Sequence, residues 1–330
     1  NLNNLTNGNI DPNNSEYVQM ADTNILENVC PLILQFLSNE EFFEVNLQVL
    51  PFISSYLSFL KKNFALGGKP GSAVNLQSRK LTIDQAHLTF CKNLLIVVHN
   101  KSLINDNFDI DSIEEINEFD ENFRSKIKNF QDSVAVINPE IYLNHMVEIV
   151  SQNGMLFNRD NTTIEEWRIE ELFIYQLHNY AESIRNNLFG IQKNAVIESK
   201  PFLLMCEFMK NKFLKNESIL KYVANPWIQI SYFELVVRHH NFLLVDQTAS
   251  QENILYVLNI FASEFGMFSS LEKVRFRCWF LFSRFIKLVK PSLDFSSLIS
   301  FFTKISPLLI IDVPPTQQEA ENTLVNEISN

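Results

Sequence analysis

The chain has 330 residues, of which 46% are hydrophobic and 20% charged, a composition that excludes an intrinsically disordered chain. Only 7 glycines accompany 29 phenylalanines, which argues against phosphate-binding loops and sheet-rich folds and favours packed helices. The formal net charge of −11 is unlike that of an autonomous RNA-binding domain.

Apolar residues at helical spacing fill the range 20–311, between an Asn-rich segment, 1–19, and a polar tail, 312–330. In Asn138-Pro139 and Asn225-Pro226, Asn is the expected cap and Pro the first helical residue. A capping-box pattern over 162–166 indicates another start. The predicted helices span 22–38, 41–62, 82–100, 117–137, 139–152, 163–187, 199–214, 226–244, 250–264, 270–290 and 293–310.

These helices pair as about five antiparallel hairpins, preceded by a partial one. The first helices of the pairs begin 76, 46, 63 and 44 residues apart, which is the scale of HEAT repeats of about 40–47 residues with loop insertions. The spacing therefore predicts an all-α solenoid, with an ordinary all-α globule as the structural alternative. No apolar run approaches the roughly 20 residues that a membrane span needs, so we expect no membrane insertion.

The helix predicted over 270–290 contains the segment KVRFRCWFLFSRFIKLVK, which holds six basic residues, no acidic residue and five aromatic residues. On a helical wheel with about 100° per residue, its basic side chains form a ridge within an arc of about 80°. We call Lys273, Arg277, Arg284 and Lys287 the basic ridge. The ridge is either a solvated outer face or a contact with a polyanion. Arg275 points toward the apolar side, so we expect it to be buried, with an acidic side chain or helix carbonyls of the adjoining hairpin as its partners.

The sequence presents no catalytic constellation and no metal site. His239-His240 has no Cys or paired carboxylate at the spacing that structural zinc requires. The four cysteines, Cys30, Cys91, Cys206 and Cys278, lie far apart in apolar helices, which is typical of buried, reduced thiols. We therefore expect a non-enzymatic protein without a cofactor. An all-α enzyme remains an alternative that a polar pocket with perturbed carboxylates would support.

Several segments, taken in order, resemble the exportin-T family of tRNA export receptors, within the larger importin-β (karyopherin) family. KVRFRCWFLFSRFIKLVK is similar to the family's basic helix, ISYFELVVRHHNFL to its helix LEFFETVVRYEKFF, and LLIIDVPP to its LLELSPP. FDENFRSKIKNFQDSVAVINPEI also resembles a family segment. The resemblance covers about 41–315. Since the chain begins with Asn1 and karyopherins are much longer, we interpret it as roughly the middle third of such a receptor.

The resemblance implies a right-handed HEAT superhelix that is a monomer and wraps mature tRNA together with the GTPase Ran in its GTP form. GTP would be carried by Ran and not by this chain. The resemblance also implies contacts with Phe-Gly nucleoporins and shuttling between nucleus and cytoplasm. A HEAT or armadillo adaptor, or a nuclear import receptor that binds only proteins, is the alternative; Ran-dependent tRNA binding would separate the two.

In the family's architecture the second helix of each pair lines the concave side, which makes the basic ridge an outer feature. The end of the inner helix 199–214 then supplies the candidates for tRNA binding: Lys210, Lys212, Lys215 and Lys221. The acidic segment 105–122 resembles in position a family insertion that could face the basic surface of Ran. Its candidates are Asp111, Glu114, Glu115, Glu118 and Asp120. Ordinary solvated surface residues are the alternative for both sets.

Overall fold

The computed structural model describes residues 22–39, 43–64, 83–104, 117–152, 156, 164–245, 247–293 and 295–309. Every regular element among these residues is helical. The chain forms two compact units, the first ending at Lys221 and the second beginning at Tyr222. This boundary divides the range 20–311 that the sequence treats as one domain, and no shift in composition marks it.

The first unit contains eight described α-helices, several of which continue directly into short π or 3₁₀ turns. Ile25–Val29 and Asp120–Arg124 are π turns that lead into α1 and α4, Met209–Phe213 is a π turn that follows α7, and Lys193–Ala195 is a 3₁₀ turn. The helices are α1 (Cys30–Ser38), α2 (Phe43–Phe64), α3 (Gln85–Lys101), α4 (Ser125–Ile137), α5 (Pro139–Ser151), α6 (Glu166–Arg185), α7 (Lys200–Phe208) and α8 (Glu217–Leu220).

In the first unit the helices form two stacks. The first helices of the hairpins pack on one another, α2 on α4 and α4 on α6, while the second helices do the same, α1 on α3 and α3 on α5. Within hairpins, Tyr56 of α2 meets Phe90 of α3 edge-on at 5.4 Å between ring centroids. Tyr180 of α6 meets Phe208 of α7 at 6.1 Å, and its hydroxyl donates to the carbonyl of Pro201 at 2.9 Å.

The second unit repeats this arrangement with aromatic side chains at its centre. Its helices are α9 (Pro226–Arg238), α10 (Asn241–Leu244), α11 (Gln247–Phe261), α12 (Glu272–Val289) and α13 (Phe295–Ile305). The α9 helix packs on α12, and α11 packs on α13. Phe233 of α9 stacks on Phe261 of α11 at 4.3 Å, and Phe282 of α12 stacks on Phe301 of α13 at 4.7 Å.

The predicted fold class, an all-α array of antiparallel HEAT-like hairpins, is confirmed in both units. The caps at Asn138 and Asn225 form: the Asn138 side chain accepts from the backbone N–H of Ile141, and the Asn225 side chain accepts from those of Trp227 and Ile228. The Asn-rich segment 1–19 and the polar tail 312–330 lie outside the described residues.

Three details of the predicted helices differ from the structure. The helix predicted over 226–244 is interrupted at His239-His240, between α9 and α10. The capping box over 162–166 does not start α6: the cap is Glu165, and its side chain makes no capping bond. Cys206 is half-buried, while Cys30, Cys91 and Cys278 are buried; all four are free thiols. Among the described residues, no helix combines the length and apolar character that a bilayer span requires.

Candidate functional site

The lysine cluster at the end of α7 is built on the π turn Met209–Phe213. This turn is closed by the backbone N–H of Leu214, which donates to the carbonyl of Met209 at 2.9 Å. Met209 and Phe213 are both fully buried, so the turn is anchored in the core. Lys212 and Lys215 are exposed and Lys210 is half-buried. A rigid base therefore presents positive charge to solvent, and π turns of this kind are frequent at functional sites.

Lys221, the fourth candidate lysine, contacts the start of α6. Its ammonium group forms an ion pair with Glu166, the first residue of α6. Burial raises the pKa of Glu170, one turn further along α6, to about 7, although Lys221 opposes this shift. Lys221 is therefore already held by carboxylates, so an anionic ligand would have to compete for it.

The basic ridge lies along one side of α12. Arg284 and Lys287 are exposed, and the ammonium group of Lys273 lies 5.4 Å from the ring centroid of Trp227 on α9. Arg277 donates from Nε and Nη2 to one carboxylate oxygen of Glu234 on α9, at 2.9 and 2.6 Å. One of the four ridge cations is thus engaged in binding a carboxylate of the neighbouring helix.

Two aromatic residues that the sequence analysis did not place on the ridge share this side of α12. Phe276 and Phe280 are 64% and 50% exposed. At about 100° per residue, Phe280 falls within the arc of the ridge and Phe276 beside it, so the same wheel could have found them. The residues on the opposite side of α12, including Val274, Cys278 and Phe285, are buried.

Arg275 differs from the expectation of a buried arginine braced by an adjoining hairpin. The side chain is half-buried, and its Nη1 donates to the carbonyls of Ser269 and Ser270 at 2.8 and 3.0 Å. These carbonyls belong to the turn that leads into α12. The arginine therefore closes the start of its own helix.

The acidic candidates for a Ran contact separate into three cases. Asp111, Glu114 and Glu115 lie outside the described residues. Glu118 is exposed. Asp120 forms an ion pair with Arg124 at 3.0 Å, so this carboxylate serves an internal contact of the first unit.

Arg124, the partner of Asp120, is a buried charged residue whose contacts connect separate segments of the first unit. Its guanidinium donates to both oxygens of Glu171 on α6 at 2.9 and 2.7 Å, and its Nε donates to the carbonyl of Ser102 at 2.8 Å. Burial alone would lower the pKa of Arg124, but Glu171 and then Asp120 more than offset burial and keep it charged. The sequence gives little warning of this cluster, because Glu171 is 47 residues away.

The histidine pair that interrupts the α9–α10 segment differs in burial. His239 is buried. His240 is half-buried, with Nδ1 lying 3.1 Å from the carbonyl of Val237. Burial lowers the pKa of His240, which the contact with Val237 only partly opposes. The expectation that no metal is bound remains a prediction.

Comparison with known proteins identifies the family. The family model described as Exportin-T matches residues 16–330. The chain is 48% identical over 309 residues to Exportin-T of Kluyveromyces lactis, which covers 93% of this chain and 28% of that protein. Exportin-T of Eremothecium gossypii is 46% identical over 311 residues, with the same coverage of 93% and 28%. Exportin-T of Saccharomyces cerevisiae S288c is 35% identical over 322 residues, covering 94% of this chain and 27% of that protein.

The chain thus spans about 28% of the length of the curated relatives it matches. The matched range includes every described element of both compact units, among them the π turn that bears the lysine cluster and the helix that bears the basic ridge. On these matches, the chain belongs to the Exportin-T family.

Proposed function

We propose that this chain is part of a receptor that carries mature tRNA out of the nucleus together with Ran in its GTP form. The observation that supports this most strongly is membership of the Exportin-T family over residues 16–330. The same membership favours a transport receptor over an adaptor that binds only proteins. In this proposal the chain is a non-catalytic, monomeric scaffold that holds no cofactor, since GTP stays with Ran. It shuttles between nucleus and cytoplasm by contacts with Phe-Gly nucleoporins.

The cluster of Lys210, Lys212 and Lys215 is the tRNA contact that we propose for the first unit. Structured RNA is recognised mainly by shape, through phosphates and 2′-hydroxyls, which suits lysines on a fixed turn better than a base-reading pocket. Each lysine that neutralises a phosphate releases a counterion, so affinity falls as salt rises. The buried Met209 and Phe213 support this role because they fix where the lysines emerge.

The acidic character of the chain is compatible with such a contact. With a net charge of −11, the scaffold repels RNA over most of its surface. Binding would then depend on the few places where positive charge is concentrated, and on a second ligand that adds its own contacts. This is a reason to expect weak binding of tRNA without Ran, and stronger binding when both ligands are present.

The test uses the full-length polypeptide that contains this chain, titrated into fluorescently labelled mature tRNA with and without Ran locked in its GTP form. Anisotropy should report tight binding only in the presence of Ran. Changing Lys210, Lys212 and Lys215 together to Glu should weaken tRNA binding at least tenfold and make the slope of log K against log salt shallower. Binding of Ran itself should be unchanged in this variant.

A charge-matched control separates a local contact from a change in net charge. Lys126, Lys193 and Lys200 are also exposed lysines of the first unit, and changing all three to Glu alters the net charge equally. This control should retain tRNA affinity and salt slope. Equal losses in both triple variants would remove the cluster as a site, while Ran binding without any effect of tRNA would overturn the proposed function itself.

A further inference from the structure

The side of α12 that bears the basic ridge also carries exposed apolar side chains, which would not contribute to binding a phosphate group. Phe276 and Phe280 are spaced one helical turn apart and are 64% and 50% exposed, and Leu288 is 41% exposed. Helical residues at this spacing lie on one face, so the two phenylalanines form a continuous apolar strip. Large apolar side chains grouped on a surface in this way mark sites of protein interaction more often than isolated ones do.

Positive charge surrounds this strip. The guanidinium carbons of Arg277 and Arg284 lie 5.1 and 5.7 Å from the ring centroid of Phe280, which holds both arginines against the aromatic ring. Lys287 is exposed on the same side. In the part of the chain that the structure describes, neither Arg284 nor Lys287 has a carboxylate within ion-pair distance. We call Phe276, Phe280, Arg284 and Lys287 the aromatic–basic face.

The chain itself shows which anion this surface binds well. Arg277, also packed on Phe280, binds a carboxylate, that of Glu234, through two hydrogen bonds. Arg284 packs on the same ring, so its exposed guanidinium edge can bind a carboxylate in the same manner. Duplex RNA would use the cations but would leave the phenylalanines against water or phosphate. A peptide with carboxylates beside apolar side chains would use both.

We propose that the aromatic–basic face docks an acidic, apolar peptide segment of a protein partner. Carboxylates of the peptide pair with Arg284 and Lys287, while its apolar side chains cover Phe276 and Phe280. The positive charge of the face requires a negatively charged partner, and the spacing of the two rings fits an amphipathic helix that packs along α12. This docking does not depend on the tRNA role, since it involves a different unit and different residues.

The experiment measures binding of a designed probe to the full-length polypeptide by fluorescence anisotropy. The probe is a labelled helical peptide of about 14 residues in which one face carries leucine and phenylalanine flanked by glutamates. Binding should weaken at least tenfold in the double variant Phe276→Ser, Phe280→Ser, and by a similar factor in Arg284→Glu. A second peptide, with every glutamate replaced by lysine, should not bind.

Matched controls and a competing ligand complete the test. Leu203→Ser removes another apolar side chain that is 51% exposed, and Lys126→Glu reverses another exposed charge. Both should bind the probe as the unaltered protein does, and circular dichroism should confirm that every variant is folded. The proposal is overturned if the probe does not bind, if the controls lose as much affinity, or if single-stranded oligouridine competes for the face with the same dependence on Phe276 and Phe280.

Discussion

An arginine–glutamate pair joins neighbouring first helices in each of the two units, and the two pairs differ in how far water reaches them. In the first unit, Arg124 and Glu171 have side chains that are only 2% and 10% exposed. In the second, Arg277 and Glu234 are 43% and 44% exposed. Hydrogen-bond lengths are similar in both, but Arg124 donates to both oxygens of Glu171 whereas Arg277 donates to only one oxygen of Glu234. Burial and the two-oxygen contact together separate a pair that the fold depends on from one that it can lose.

The largest effect is expected when the buried pair of the first unit is broken. Arg124→Met should lower the free energy of unfolding by about 3–5 kcal/mol, because the buried side chain of Glu171 would lose its partner. Urea unfolding followed by circular dichroism measures this loss. The double variant Arg124→Met, Glu171→Leu should recover most of it, since an apolar pair leaves no charge behind. A loss below about 1 kcal/mol in the single variant would show that water reaches the pair after all.

Glu170 precedes Glu171 of the buried pair, and removing its charge should stabilise the protein instead of destabilising it. Burial holds the pKa of its carboxyl near 7 in the folded protein, above its ordinary value of 4.5, and Oε2 has no hydrogen-bond partner among the described residues. Its charge therefore costs stability as pH rises from the lower value through the higher one, and the cost is complete above pH 7. Glu170→Gln should stabilise the protein by about 1–3 kcal/mol at pH 8 and leave it unchanged at pH 4.

Urea unfolding of the Glu170 variant at a series of pH values checks this prediction. Glu121→Gln, which removes an exposed carboxyl of the same unit, is the matched control. If Glu170→Gln gave the same change in stability at both ends of the pH range, the effect would come from packing and not from ionisation.

The two asparagine caps sharpen the comparison on a smaller scale. Asn138 accepts one backbone hydrogen bond at the start of α5, at 3.0 Å, whereas Asn225 accepts two at the start of α9, at 3.0 and 3.1 Å, and is buried. Asn225→Ala should therefore cost about 1–2 kcal/mol and Asn138→Ala about 0.5–1 kcal/mol. Thermal unfolding of the two variants tests this order. The reverse order would show that the number of cap hydrogen bonds does not determine how much each asparagine stabilises the protein.

The smallest effect is expected at the exposed pair of the second unit. Arg277→Met should change the free energy of unfolding by about 0–1 kcal/mol, because both partners are solvated once separated. Any difference from the unaltered protein should shrink as salt is added, since exposed ion pairs are screened. Urea unfolding at low and high salt measures both effects. A cost as large as that of Arg124→Met would remove the distinction between the two pairs.

Local rules account for what the sequence predicts correctly. Asn followed by Pro starts a helix through hydrogen bonds that lie within four residues, so both caps can be recognised from the sequence. The amphipathic period of α12 places the four residues of the basic ridge on one side in the same way. Phe276 and Phe280 follow the same period, but their exposure is not expected from residue type because phenylalanine is usually buried.

Features that depend on distant partners lie beyond such rules. In the sequence Asp120 belongs to an acidic segment, but in the structure it forms an ion pair with Arg124. Arg124 also binds Glu171, which is 47 residues away along the chain. The half-buried setting of Arg275 follows from how the turn before α12 folds back, which no helical wheel describes. The helix break at His239-His240 likewise has no Gly or Pro nearby that would predict it.

The three described π turns have a consequence for how this gene can change. A π turn holds one residue more than an α-helical turn, so losing a single codon within Met209–Phe213 would leave an ordinary helix in its place. Met209 and Phe213 could keep their places in the core, so the change would fall on the side chains between them, which include Lys210 and Lys212. Insertions and deletions of one codon at such turns therefore let a lineage redirect a surface without rebuilding the fold beneath it.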